Sequence, residues 1–206
     1  MNSPYQGKEI EDWQAITDAL ITHHPLSPQE IVAVILKSWD DIFNSKLGSF
    51  YIGKEIFPTP QIMSFFLHEL VAHYLSLQHI GIYKVGTSKN EKDIHHITNQ
   101  LLSVEIKASS QDNQIFGNRS YAQADSGKGQ KDKNGYYITI NFENFLGSNT
   151  RRPEILRIRF GYLEHTDWVA QKSPTGQRAR LKQEANKYKL KTLYERDKSE
   201  KKIKKA

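Results

Sequence analysis

Asp93, Glu105 and Lys107 are the residues of this sequence whose types and spacing could do chemistry together. Glu105 and Lys107 sit two positions apart in residues 101–109, where Leu102, Val104, Ile106 and Ala108 alternate with Ser103, Glu105, Lys107 and Ser109. A period of two marks a strand with one apolar face. The carboxylate and the ammonium then share the opposite face, about 6.6–7 Å apart, and flank one small site without a direct ion pair. Upstream, residues 94–97 read as a strand, Thr98-Asn99-Gln100 as a turn, and the run from Leu101 as the antiparallel return. That hairpin brings Asp93 back alongside Glu105. Two carboxylates beside a lysine suit a hard divalent cation. Magnesium favours oxygen ligands at about 2.0–2.1 Å and keeps waters that a substrate phosphate can displace. The alternative reading is an exposed cross-strand ion pair, worth about 0–1 kcal/mol and without chemistry.

The elements that must position this hairpin are legible on both sides of it. Residues 9–23 carry Ile10, Trp13, Ile16, Leu20 and Ile21 at helical spacing. Ser27-Pro28-Gln29-Glu30 is a capping box with proline at the first helical position, opening a second helix to about Phe43. Thr59-Pro60 starts a third, over residues 61–77, with Ile62, Phe65, Phe66, Glu69, Ala72 and His73 on one face. Residues 44–57 hold turn glycines and short aromatic runs with no clear period. After the hairpin comes a polar segment, residues 111–134, then strands at residues 135–142 and 155–160, and a basic helix over residues 178–196. Long irregular segments within a domain are usually functional or disordered. Asn118, Arg119, Ser120 and Gln123 in this one carry the groups that read base edges. His68, His73, His95 and His96 have no metal-ligand spacing, and adjacent strand histidines face opposite ways.

Composition narrows the function class. The 206 residues carry a formal net charge of +6, with 37% hydrophobic and 11% aromatic residues, which is enough for a core and favours polyanionic partners. With no cysteine, disulfides, thiolate catalysis and zinc-thiolate sites are excluded. No segment reads as a signal peptide, and no apolar run approaches the roughly 20 residues that cross a bilayer. The expected location is the cytoplasm, away from membranes. Residues 198–206 hold five lysines against Glu200, either a solvated tail or a site of non-specific phosphate attraction.

The order Asp93, then Glu105-Ile106-Lys107, resembles the signature of the PD-(D/E)xK nuclease superfamily, with Lys92 where that signature often has proline. The run Gln114-Ile115-Phe116-Gly117-Asn118-Arg119-Ser120-Tyr121-Ala122-Gln123, with Arg159-Phe160-Gly161-Tyr162, Asp167-Trp168 and Thr175-Gly176-Gln177, is similar to type II restriction endonucleases of the ScaI-like group. The resemblance covers roughly residues 85–185.

It implies an α/β fold, a mixed central sheet of about five strands flanked by helices. The expected organisation is one nuclease domain over residues 1–206: a helical part at 1–80, the catalytic sheet at 81–170, and a basic C-terminal helix and tail at 171–206. Its implied activity is Mg²⁺-dependent, sequence-specific cleavage of double-stranded DNA leaving 5′-phosphates, with no small-molecule cofactor. Asp93, Glu105 and the carbonyl of Ile106 would hold the metal, and Lys107 would orient the attacking water. Glu69 matches by chain order the extra acid that the preceding helix often lends. Ser109, Asn118, Arg119, Ser120 and Gln123 would contact DNA. A palindromic site cut on both strands asks for a homodimer. The alternatives are a repair or junction-resolving nuclease with the same site, and a non-catalytic basic DNA-binding protein.

Overall fold

A computed structural model describes residues 3–124, 132–145, 152–173 and 175–197. The lysine-rich tail and part of the polar segment, residues 125–131, lie outside the described residues. In chain order the elements are α1 (Trp13–Thr22), α2 (Pro28–Asn44), β1 (Lys46–Leu47), β2 (Phe50–Tyr51) and α3 (Pro60–Gln78), followed by β3 (Tyr83–Val85), β4 (Ile94–His96), β5 (Val104–Ser109), β6 (Phe116–Asn118), β7 (Gly135–Phe142) and β8 (Ile155–Leu163). The chain then adds β9 (Trp168–Ala170), β10 (Arg178–Leu181), α4 (Gln183–Tyr188) and β11 (Leu190–Glu195).

Six strands form a mixed sheet in the order β11-β8-β7-β5-β4-β3, one more than the sequence led us to expect. Only the β5–β7 pair is parallel; its register sets Glu105 beside Tyr137 and Lys107 beside Thr139. A separate three-stranded sheet, β6-β10-β9, lies apart from it. The alternation of β7 explains the layering. Tyr136, Ile138, Ile140 and Phe142 join α2, α3 and the apolar side of β5 in one core. Tyr137 points the other way, into a second core with Tyr121, Leu163, Trp168, Ala179 and Leu181. The protein is therefore α/β, with α1, α2 and α3 on one face of the central sheet and the small sheet with α4 on the other. Glu105, Lys107 and Ser109 lie on the small-sheet face.

The helix signals correspond closely. Ser27 caps α2 with both bonds of the box, Glu30 N–H to Ser27 Oγ at 3.2 Å and Ser27 N–H to Glu30 Oε2 at 3.4 Å. On α3 the buried stripe shares only Ala72, and in part Phe66, with the expected face. Met63, Leu67, Val71, Ala72 and Leu75 are buried, while Ile62 and Phe65 are 46% and 58% exposed. Both stripes are apolar, so periodicity had nothing with which to choose between them.

Two further expectations fail. The strand carrying Glu105 begins at Val104, because Gln100–Leu102 is a 3-10 turn held by Asn99, whose side chain accepts the Leu101 N–H. Residues 178–196 are not a basic helix but β10, the short α4 and β11. Arg178-Ala179-Arg180-Leu181 alternates, burying Ala179 and Leu181 against the second core. Cross-strand partners in β6, β8 and β9 override the helical propensity of the lysines and arginines here.

One buried arginine ties the chain leaving β5 to the sheet. Arg159, 2% exposed on β8, donates to Asn141 Oδ1 at 3.0 Å and to Asn113. Asn141 in turn donates to the Gln111 and Gln114 carbonyls at 2.7 and 3.2 Å. Burial draws the Arg159 guanidinium down to about 10, still charged at neutral pH. The neutral amides of Asn113, Asn141 and Asn186 take donors of its two terminal nitrogens, so the segment from Ser109 to β6 leaves β5 on a fixed path.

Candidate active site

The β4–β5 pairing is short. Ile94 lies opposite Val104, and the ladder then opens toward Asp93 and Glu105. Asp93 takes over there, its Oδ2 accepting the Ile106 N–H at 2.6 Å. A side-chain carboxylate thus replaces the missing strand and is held in place by a charge-assisted bond. The N–H and C=O of one residue lean to the same side of a strand. The Ile106 carbonyl therefore points into the same gap.

Glu105 is 2% exposed. Contrary to the expectation of a flanking pair, Lys107 Nζ donates directly to Glu105 Oε1 at 2.6 Å. A buried carboxylate next to a lysine is costly unless it is paired, and the strand face lets the long lysine fold back. Tyr121 completes the arrangement. Its hydroxyl donates to the same oxygen at 2.5 Å, and Lys107 Nζ lies 4.7 Å from its ring centroid. Burial alone would lower the proton affinity of Lys107, but Glu105, Tyr121 and Asp93 outweigh it and raise its pKa, so the ammonium stays charged. Burial pushes the Tyr121 hydroxyl up as well, so it remains a donor.

Lys107 lines a cavity of about 340 Å³ with Ser109, Asn118, Tyr121 and Arg178, and with Gln61, Ser64 and His68 from α3. His68 Nδ1 stands 3.9 Å from Asp93 Oδ2. Glu69, the acid expected to join from this helix, is 49% exposed in its side chain beside His73. It is not brought to the other site residues; its neighbour His68 is. Lys92, in the place of the signature's proline, is buried. Its Nζ donates to the Asn134 carbonyl at 2.6 Å and faces the Tyr137 ring. Gly135 makes room for it at φ +133, where a Cβ would come within 2.1 Å of the ammonium.

Of the expected DNA contacts, Asn118, Ser120 and Gln123 are exposed. Ser109 is buried and accepts the Gln111 N–H at 3.2 Å. Arg119 is turned onto the loop between β9 and β10, donating to the Ser173 and Gly176 carbonyls at 3.3 Å each. Sequence reading missed Tyr121 and His68, which carry no period or spacing, and Arg178, whose alternation with Ala179 was readable as a strand.

Among the described residues no three His, Cys, Asp or Glu side chains converge. The available donors are two carboxylates and a carbonyl. This all-oxygen set fits a hard cation that retains water, and does not fit zinc or copper.

The chain matches the ScaI restriction endonuclease family over residues 3–194. The chain belongs to that family. It is 45% identical over 181 residues to the type II restriction enzyme ScaI of Streptomyces caespitosus, covering 87% of this chain and 79% of the relative. Membership makes the protein a restriction endonuclease, a DNA-cleaving hydrolase. The match spans both the helical part and the small sheet, so the elements around Asp93, Glu105 and Lys107 all belong to the family's shared chain. No helix among the described residues is long and apolar enough to cross a membrane.

Proposed function

We propose that this restriction endonuclease cuts both strands of duplex DNA at a short palindromic sequence by Mg²⁺-dependent hydrolysis, with a PD-(D/E)xK site, leaving 5′-phosphates. The observation that carries the reading is the convergence of Asp93, Glu105 and Lys107 at the open end of the β4–β5 pair, beside a cavity. Asp93, Glu105 and the Ile106 carbonyl would hold Mg²⁺. When bound, the metal supplies Lewis acidity at the scissile phosphate and a more acidic water.

The protein's own residues do the rest. Asp93 is held by the Ile106 N–H, so its carboxylate is oriented before any ligand arrives. Tyr121 holds Glu105 Oε1 from below. The Lys107 ammonium, charged at neutral pH, orients the attacking water and stabilises the negative charge that grows on the pentacovalent phosphorus. In-line attack forms the new P–O bond as the bond to O3′ breaks, giving a 5′-phosphate and a 3′-hydroxyl. Asn118, Ser120 and Gln123 contact DNA beside the cut, and a homodimer brings two such sites to the two strands.

The test is cleavage of a random-sequence plasmid library with Mg²⁺, with and without EDTA. Discrete ends at one sequence, 5′-phosphorylated and lost with EDTA, are expected. Structure-dependent nicking would favour the repair reading, and EDTA-resistant cutting would remove the metal. Sedimentation at micromolar concentration should give twice the chain mass; a monomer, free and on DNA, contradicts the dimer.

A further inference from the structure

The small sheet presents an outward face of which the reading above uses Asn118 alone. On β10, Ala179 and Leu181 are buried while Arg178 and Arg180 are exposed. Register places Arg178 opposite Asn118 of β6. On its other side Gln171, just past β9, donates its N–H to the Arg178 carbonyl at 2.9 Å and accepts the Arg178 N–H through Oε1 at 3.2 Å. Asn118 of β6, Arg178 of β10 and Gln171, one residue beyond β9, therefore stand abreast, all exposed.

Two contrasts single out Arg178. Arg119, the other arginine beside the cavity, has its guanidinium engaged on loop carbonyls. Among the described residues the Arg178 guanidinium makes no hydrogen bond or ion pair, yet its backbone is locked into the middle strand of the sheet. A rigid, uncommitted fork is what bidentate recognition requires. It lines the same cavity as Lys107 and Asn118, so whatever it touches lies close to the cut phosphate.

We infer that this face of the small sheet enters the DNA major groove, with Arg178 reading a guanine and Asn118 and Gln171 flanking it. Three strands spaced about 4.8 Å apart span about 10 Å, within the roughly 12 Å width of that groove, which accepts β-ribbons. Arg pairs with guanine O6 and N7, and Asn or Gln with adenine. Continuity with the catalytic cavity and the positive charge of Arg178 and Arg180 match a duplex. The inference rests on the proposed function and adds the surface and the residue that give it sequence.

The test uses the cognate duplex mapped by wild-type cleavage and a scrambled duplex, both bound in Ca²⁺ across a salt series. Arg178→Ala should weaken cognate binding about tenfold to a hundredfold, leave scrambled binding within about threefold, and keep the salt slope. Arg178→Lys retains the charge without the fork and should show the same cognate loss. A 7-deazaguanine at the read position should reproduce that loss in wild type and add nothing to Arg178→Ala. Equal weakening on both duplexes, with the salt slope reduced by about one, would make Arg178 a phosphate contact and overturn the inference. So would wild-type binding by Arg178→Ala, with the cleavage reading left standing. If the wild type yields no discrete cuts, the proposed function fails, and base reading fails with it.

Discussion

Two largely buried lysines, Lys107 and Lys189, lie against carboxylates and over aromatic rings, and they differ in what they face. Lys107 donates to Glu105 at 2.6 Å above the Tyr121 ring, with 14% of its side chain exposed on a cavity. Lys189, between α4 and β11, donates to Asp167 at 2.8 and 3.1 Å and to Glu164 at 2.8 Å, with its ammonium 4.2 Å from the Tyr5 ring centroid and 4.4 Å from that of Trp13. Its side chain is 3% exposed. Lys189 joins the N-terminal segment, the turn after β8 and α4; its two acids saturate it and its rings enclose it. Lys107 shares one carboxylate oxygen with Tyr121 and keeps donors toward the cavity. Ion-pair chemistry is the same in both. What separates a clasp from a working group is access and spare hydrogen-bonding capacity.

The largest expected effect is on the open site. Glu105→Gln keeps the volume and the bonds from Lys107 and Tyr121 but removes the charge. Together with Asp93→Asn, it should lower single-turnover cleavage by a thousandfold or more, about 4 kcal/mol in the barrier, while the melting curve stays cooperative. Cleavage within tenfold of wild type in either variant would remove that carboxylate from the site.

The closed site should answer in the opposite currency. Lys189→Met strands two carboxylates in a buried cage, a loss of about 3–5 kcal/mol of stability, read as a drop in the urea midpoint. Cleavage per folded molecule should be unchanged.

Acid should loosen the fold through a third group that belongs to neither pair. His24, buried against Tyr136 and Phe160, is pulled down to about 4, chiefly by desolvation. The unfolded chain takes up this proton near 6.5 and the folded chain only near 4. The stability His24 contributes is therefore complete above pH 6.5 and is lost as pH falls toward 4, by about 3 kcal/mol. Replacing His24 with Gln should flatten the stability profile between those values; an unchanged slope would assign the acid response elsewhere.

The smallest effect is expected at Tyr121, which links the exposed residues Ser120 and Gln123 beside it to Glu105. Tyr121→Phe keeps the ring against Trp168, 5.3 Å between centroids, and removes one donor. Cleavage should fall about tenfold with cognate binding retained. A loss of binding without a change in rate would make the tyrosine a part of the DNA surface instead.

The open site was the more legible of the two. Glu105 and Lys107 share one strand, and a period of two puts them on one face whatever the rest of the fold does. The bounds of β7 and the capping box of α2 were readable for the same reason, because their signals are local. The Lys189 clasp was not legible: Asp167 stood among the residues that carry the family resemblance, but nothing in the sequence joins it or Glu164 to Lys189 on another element. The buried face of α3 was ambiguous because Ile62 and Phe65 are as apolar as Met63 and Leu67. At Arg178 the charge of the segment outweighed the alternation with Ala179 and Leu181, and pairing with β6 and β9 decides for a strand. Tyr121 sits in a 3-10 turn without periodicity, and its reach to Glu105 exists only once the small sheet has packed.

The most direct test places the two lysines side by side. Lys107→Met and Lys189→Met are compared for single-turnover cleavage of the cognate duplex and for urea midpoint under the same conditions. Lys107→Met should lose cleavage by a thousandfold or more while still binding the duplex, and Lys189→Met should lose stability while cutting at the wild-type rate. Cleavage at the wild-type rate by folded Lys107→Met would contradict this role for Lys107.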